Sequence, residues 1–211
     1  MFAGKRWRSI AGGAGLTLAL LGCSGGPPHA EPMAPGPLLD AHSHYTAADA
    51  AVFSPAAVIA RLDAAGVRRI VLAGVVLMIH GDAEIVERVF ELAPRARVLW
   101  AHLGTFPVPD LLDAMLERHG ERLWIDTSVR DERIAPEGVL LPEWRALFAR
   151  HPRRFVVAVD TFSVNRWHAY EEVVARIRAW TADLPEPLRG DLLHDNAARL
   201  FADFPARRAS D

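Results

Sequence analysis

The chain has one cysteine, Cys23, and one lysine, Lys5. A lone cysteine excludes an intramolecular disulfide, a zinc finger, a thiolate-held cluster and a CxxC redox pair, since each needs at least two thiols. A lone lysine leaves only position 5 for Schiff-base chemistry, a P-loop cation or a carboxylated lysine bridging two metals. Nearly all the positive charge is therefore arginine. A strong charge of either sign is absent too: 24 Lys and Arg face 26 Asp and Glu, a net of −2 at pH 7. With 211 residues, 51% of them hydrophobic, the chain can bury one sizeable core, and one folded domain is expected.

The N-terminus has its own pattern. Lys5, Arg6 and Arg8 precede an apolar, Gly-rich run from Ile10 to Leu21 that is too short to span a bilayer. It ends in Leu20-Leu21-Gly22-Cys23. This resembles a bacterial lipoprotein signal, in which the cysteine is acylated and becomes the new N-terminus. An ordinary secretory peptide that happens to hold a cysteine is the alternative; the position of Cys23, where the apolar run stops, favours the lipoprotein. Ser24 then implies the outer membrane, facing the periplasm, in a Gram-negative host. The expected organisation is a signal peptide over 1–22, a Pro/Gly-rich tether over 23–37 and a folded domain over 38–211. Removing the signal takes away three basic residues and no acid, leaving 21 against 26, a net of −5. An acidic mature chain argues against nucleic acid as a partner. A small-molecule substrate and a lipid-anchored membrane contact are expected instead.

From Leu38 onward, apolar runs alternate with helical patterns. Strands are predicted at Leu38–His42, Arg69–Val75, Arg97–Ala101, Arg122–Asp126 and Phe155–Val159. Helices are predicted from Ser54-Pro55, a cap and first-turn signal, to a stop at Gly66. Others follow over Ala83–Leu92, with Ile85, Val86, Val89 and Phe90 on one face, and over Pro107–His119, Pro142–Arg150, Tyr170–Trp180 and Asp191–Phe204. Strands separated by helices indicate a parallel sheet with helical crossovers, and strands apolar throughout indicate that both faces are covered. Ile70 to His80 (IVLAGVVLMIH) breaks the rhythm. Its eleven residues exceed the usual strand of about 5–6. They read either as one long strand or, preferably, as two strands abutted at Gly74, Arg69–Gly74 and Val76–His80.

The chemistry-bearing residues fall where these strands end. His42-Ser43-His44 closes the first strand, and in extended chain i and i+2 point to one side, so both imidazoles can reach one ion. His80, His102, Asp126 and Asp160 each end a later apolar run. Parallel α/β folds gather their sites at the carboxyl ends of strands, which brings four histidines and two aspartates to one mouth. Arg130, after Asp126, has two readings: a clamp for a substrate carboxylate, or a solvated surface cation. The remaining histidines read as structural. His29 lies in the tether, His119 and His151 stand at helix C-termini where a cation suits the dipole, His168 precedes a helix and could face the mouth with Asn165, Arg166 and Trp167, and His194 belongs to the last one.

Six segments, LLDAHSHY (38–45), LMIHGD (77–82), VLWAHLGTF (98–106), LWIDTS (123–128), RFVVAVDTF (154–162) and HDNAARLF (194–201), resemble the amidohydrolase superfamily. The resemblance is to its amidohydrolase-2 branch, which includes aminocarboxymuconate-semialdehyde-decarboxylase-like enzymes. It implies an α/β fold, a (β/α) TIM-barrel-like metal-dependent hydrolase. On it, His42, His44, His80 and Asp160 are metal ligands; Asp160 also takes a proton from water; His102 ligates a second metal or polarises the substrate. Asp126 is either an orienting partner of a ligand histidine or a loop cap. The implied cofactor is one divalent ion, zinc first, with manganese and iron as the other candidates. The implied reaction is attack of activated water on an amide, ester or lactone-like carbonyl. Non-oxidative decarboxylation on the same ligands, or an inactive envelope lipoprotein keeping the scaffold, are the alternatives.

The 174 residues from 38 to 211 fall below the 200 or more of a full eight-unit barrel. Six strands are counted, with the family's third and fourth missing between Ala73 and Leu77. The family's fourth-strand acidic or lysine position has no counterpart, which favours one metal over a bridged pair. An open-edged sheet also invites pairing with a second copy.

Overall fold

A computed structural model describes residues 36–72 and 77–202. The expected signal peptide with Cys23, most of the expected tether, the expected abutment at Gly74 and residues 203–211 lie outside the described residues. Six parallel strands are formed among the described residues: β1 (Leu38–Ser43), β2 (Val67–Leu72), β3 (Leu77–Ile79), β4 (Val98–Trp100), β5 (Leu123–Asp126) and β6 (Phe155–Val156). β1 pairs with β2, and β3, β4, β5 and β6 pair in that order. The two groups meet where the chain continues past β6. The Ala41 amide donates to the Val157 carbonyl at 3.3 Å, and the Asp160 amide to the His42 carbonyl at 2.7 Å. The strand order is thus β2-β1-β6-β5-β4-β3.

Local sequence explains the helices. Ser54 caps Pro55–Ala64, its hydroxyl accepting from the Ala57 amide at 3.2 Å, with Pro55 in the first turn; Pro109–His119 and Pro142–Arg150 also begin on proline. Ala83–Leu92 buries Val86 and Phe90 but leaves Ile85 about half exposed. Ile85 instead closes over Gly81, where a Cβ would stand 2.5 Å from its Cδ1.

Alternation along the strands feeds two apolar layers. Val98, Trp100, Leu123, Ile125 and Phe155 pack beneath the helices with Leu112, Met115, Phe148, Val173, Ile177 and Trp180. Leu39, Ala41, Leu99, Trp124 and Val156 form the other layer, covered by Ala197, Leu200 and Phe201. Truncating a fully buried aromatic such as Phe148 to alanine would cost about 3–5 kcal/mol. A parallel sheet clad on both faces is consistent with a partial TIM-barrel-like fold.

Three expectations need correction. The strand from Phe155 pairs in the ladder only to Val156, because the Val159 amide donates to the buried Asp40 carboxylate at 3.0 Å rather than to a backbone carbonyl. The final helix is not continuous: a π-helical stretch, Asp191–Asp195, precedes Asn196–Leu200, and the Leu192 carbonyl accepts from Val157. His119 and His151 do stand at helix ends, but each also binds a carboxylate on a neighbouring helix. His119 Nε2 lies 3.0 Å from Glu87, and His151 Nε2 lies 2.6 Å from Asp113.

These pairs tie three successive outer helices together. The His151 hydrogen bond, with the charge of Arg150, holds the Asp113 carboxyl below its usual range. Such a carboxyl contributes stability above its unfolded pKa and loses it as pH falls through the folded one. Asp113→Asn should therefore lower the melting temperature at pH 7, and the gap should close in acid well below about pH 4. A gap that stays constant with pH in thermal melts would contradict this coupling.

Candidate metal centre

The strand ends deliver their polar residues to one place. His42 is the fifth residue of β1, His44 follows it, His80 follows β3, His102 follows β4, Asp126 ends β5 and Asp160 follows the β6 segment. His42 Nε2 and His44 Nε2 are 3.0 Å apart. Asp160 Oδ1 is 3.5 Å from the first and 3.4 Å from the second. Asp160 Oδ1 is buried and has no hydrogen-bond partner. Two imidazole nitrogens and a carboxylate oxygen that converge in this way could hold a cation. Ligands at about 2.0–2.2 Å from a tetrahedral zinc lie about 3.3–3.6 Å apart, which the two Asp160 distances match and the shorter His42–His44 distance approaches. A second set, His42, His80 and His102, also offers one ligand atom each within 4.8 Å of one another. The two sets share His42. His80 is exposed and joins the second set, not the tighter first one.

Asp126 serves both of the purposes that its position suggested. Its Oδ2 accepts from His42 Nδ1 at 3.2 Å, and its Oδ1 accepts from the His102 and Ser128 amides at 3.1 and 2.9 Å. The Ser128 hydroxyl also donates to Oδ1, so it receives the Nδ1 proton of His102 across 2.8 Å. One carboxylate thus fixes the tautomers of two histidines, directly at His42 and through Ser128 at His102. When neutral, each ring would carry its proton on Nδ1 and turn the Nε2 lone pair to the site.

The electrostatics follow from burial and these contacts. Burial alone would lower the pKa of His42, but the Asp126 hydrogen bond and charge, helped by Asp160 and Asp40, leave it raised. Burial pushes Asp126 up, yet His42, His102 and the Ser128 hydroxyl hold it below the usual carboxylate range. Burial lowers His102 in spite of Asp126 and Asp160, and His42 and His80 add to that fall. The neutral form of His102, which a ligand or proton acceptor needs, is thus the one that its surroundings favour.

The family model Amidohydro_2, described as Amidohydrolase, matches residues 36–202. The chain belongs to this amidohydrolase family. No curated protein matches it. Within the family frame, the six strand-end residues of this amidohydrolase stand together, and Arg130 stands apart from them in its task. Its Nε donates to the His102 carbonyl at 3.0 Å, and one terminal nitrogen donates to Gly104 and Thr105 at 3.4 and 3.3 Å. Arg130 is thus half-buried and bound to the His102 loop, which corrects the solvated-surface reading.

Other residues of the site were not singled out by the sequence. The Thr161 hydroxyl receives the His44 amide and donates to the His44 carbonyl, each at 2.7 Å. Ser128 completes the link to His102. Arg166, which the sequence does offer as a residue near the mouth, donates to the carbonyls of Val159 and Asp160. The only signal for Thr161 and Ser128 was their place one or two residues beyond a strand-end aspartate.

Both His102 and Asp160 occupy the left-handed region, with φ of 62° and 57°. Such residues cost about 1–3 kcal/mol each and persist where surroundings over-determine them. The loop after His102 turns on Gly104, at φ 75°, where a Cβ would meet the Trp100 ring at 2.7 Å. Trp100 in turn donates to the Gly81 carbonyl beside His80 at 2.9 Å. Gly104→Ala is expected to destabilise the protein by more than about 1 kcal/mol and to change tryptophan emission. A urea midpoint and emission spectrum equal to wild type would refute that.

Proposed function

We propose that this amidohydrolase is a metal-dependent hydrolase acting on an amide, ester or lactone-like carbonyl. The observation that carries the reading is the triangle of His42 Nε2, His44 Nε2 and the unpartnered Asp160 Oδ1. These residues would hold one divalent ion, zinc first, which when bound lowers the pKa of a water to about 7 and polarises a carbonyl. Asp160 presents a second oxygen, Oδ2, 3.7 Å from His102 Nε2. Its carboxylate would accept the proton of the attacking water, and His102 Nε2 would pass that proton onward toward the leaving group. Asp126 balances the charge that His102 gains. Asp126 and Ser128 keep the ring from rotating while it does so. Among the described residues β2 and β3 have no outer neighbour, which supports the reading that the third and fourth strands of an eight-stranded barrel are missing there. With no lysine after position 5, the reading is one ion rather than a lysine-bridged pair.

Metal analysis of the purified chain should return about one zinc or manganese per chain, lost in His42→Ala. Asp160→Asn should cut hydrolysis of an ester, lactone and amide panel by about 10²–10⁴-fold. No stoichiometric metal, and no effect of His42→Ala, would overturn the reading. Carbon dioxide released from aromatic or muconate-like acids, without hydrolysis, would replace it with decarboxylation. Loaded protein inert to both would indicate a scaffold without catalysis.

We further propose that Cys23 is lipidated and holds the domain at the cell envelope. The run Leu20-Leu21-Gly22-Cys23 behind a basic start supports this. Cys23→Ala should move the protein from the membrane to the soluble fraction and abolish labelling with a fatty-acid probe. Unchanged membrane partition and label would contradict it.

A further inference from the structure

Asp40 stands in the middle of β1, fully buried and flanked by Leu39 and Ala41. Its Oδ1 accepts from the His42 amide at 3.1 Å and from the Val159 amide at 3.0 Å. Its Oδ2 accepts from the Ser43 hydroxyl at 2.6 Å and the Tyr170 hydroxyl at 2.8 Å. Four donors meet the four acceptor positions of one carboxylate. No atom of Asp40 is left over for an ion or a substrate, so its part is not that of a ligand.

What these bonds join is more telling. The His42 amide belongs to the segment that carries the two histidines of the triangle. The Val159 amide directly precedes Asp160, the third member. A single carboxylate therefore spans the two chain segments whose relative stagger decides whether the triangle closes. One residue further on, the Asp160 amide reaches the His42 carbonyl at 2.7 Å. Asp160 holds a left-handed backbone, φ 57°, which persists only where neighbouring bonds fix it. On the far side, Tyr170 is fully buried and stacked on Trp167, with ring centroids 5.4 Å apart and planes 14° apart. Its hydroxyl thus ties Asp40 to the helix Tyr170–Thr181.

We propose that Asp40, held by Tyr170 and Ser43, is a positioning residue of the metal centre: it sets the stagger between β1 and the Val157–Asp160 segment and so brings the Asp160 carboxylate to the ion shared by His42 and His44. This rests on the metal-centre reading above. A carboxylate is required because backbone carbonyls of β1 cannot accept from both segments at one point. An amide in its place turns one oxygen into a donor that faces two other donors.

The test is zinc affinity by chelator competition on the full chain in detergent, with the visible spectrum of the cobalt-loaded protein as a readout of ligand geometry. Asp40→Asn should bind zinc about 10–100-fold more weakly and shift or weaken the cobalt bands, while circular dichroism shows a folded chain. A folded Asp40→Asn with wild-type zinc affinity and cobalt spectrum, even if it melts earlier, would overturn the proposal by reducing Asp40 to a structural part. Should Asp40→Asn fail to fold, Tyr170→Phe decides. Several-fold weaker zinc binding with an altered cobalt spectrum supports the proposal, and wild-type values overturn it. A wild-type chain that binds neither zinc nor cobalt overturns the metal-centre reading itself, a result distinct from binding that Asp40→Asn leaves untouched.

Discussion

The hydrogen bond from the Asp160 amide to the His42 carbonyl, 2.7 Å, joins the two ends of the sheet in the chain. β1 is the first strand and the β6 segment the last, so nothing local holds them side by side. Their contact closes a loop of more than a hundred residues, and the entropy of that closure must be met by what packs around it. The apolar layers on both faces supply the drive. Leu39, Ala41 and Val156 lie under Ala197, Leu200 and Phe201 on one face, and Leu38 and Val157 lie in the helix-covered core on the other. The polar groups then fix the stagger. Every distance in the His42–His44–Asp160 triangle depends on it.

Charge placement follows the same economy of parts. Asp126, wholly buried, serves His42 on one oxygen and His102, through its amide and Ser128, on the other. A buried carboxylate without such partners would be costly. Here its charge keeps two imidazoles oriented with lone pairs facing inward, and their donors keep it ionised. The strained backbone at His102 and Asp160 is stabilised in the same way, by Arg130 on the one loop and Arg166 on the other. The abundance of arginine, which in the sequence reads as surface charge, thus includes two guanidiniums bound to the backbone carbonyls of the site loops.

Much of this was legible in the sequence because it is local. Period and capping place Ala83–Leu92 and Pro142–Arg150 to the residue, and the strand-end polar residues mark the mouth. The HxH spacing alone brings His42 and His44 to one side. What is set by distant contacts was not legible. Asp40 is two residues from His42, yet its partners Val159 and Tyr170 lie more than a hundred residues away. The shortened ladder of β6 follows from that side-chain bond, and no propensity encodes it. The break at Asp191–Asp195 has the same origin, a carbonyl turned to Val157. His119 and His151 were legible as helix ends but not as partners of Glu87 and Asp113 on neighbouring helices.

The sheet ends at β2 and β3, whose outer edges are unpaired among the described residues. His42 lies on β1, His44 just after it and Asp160 four residues past β6, so the three stand away from those edges. The most direct check of the central claim is anomalous diffraction from crystals of the zinc-loaded protein. The account predicts one zinc bound by His42 Nε2, His44 Nε2 and Asp160 Oδ1. An ion bound without Asp160, or no zinc at the strand ends, would contradict it.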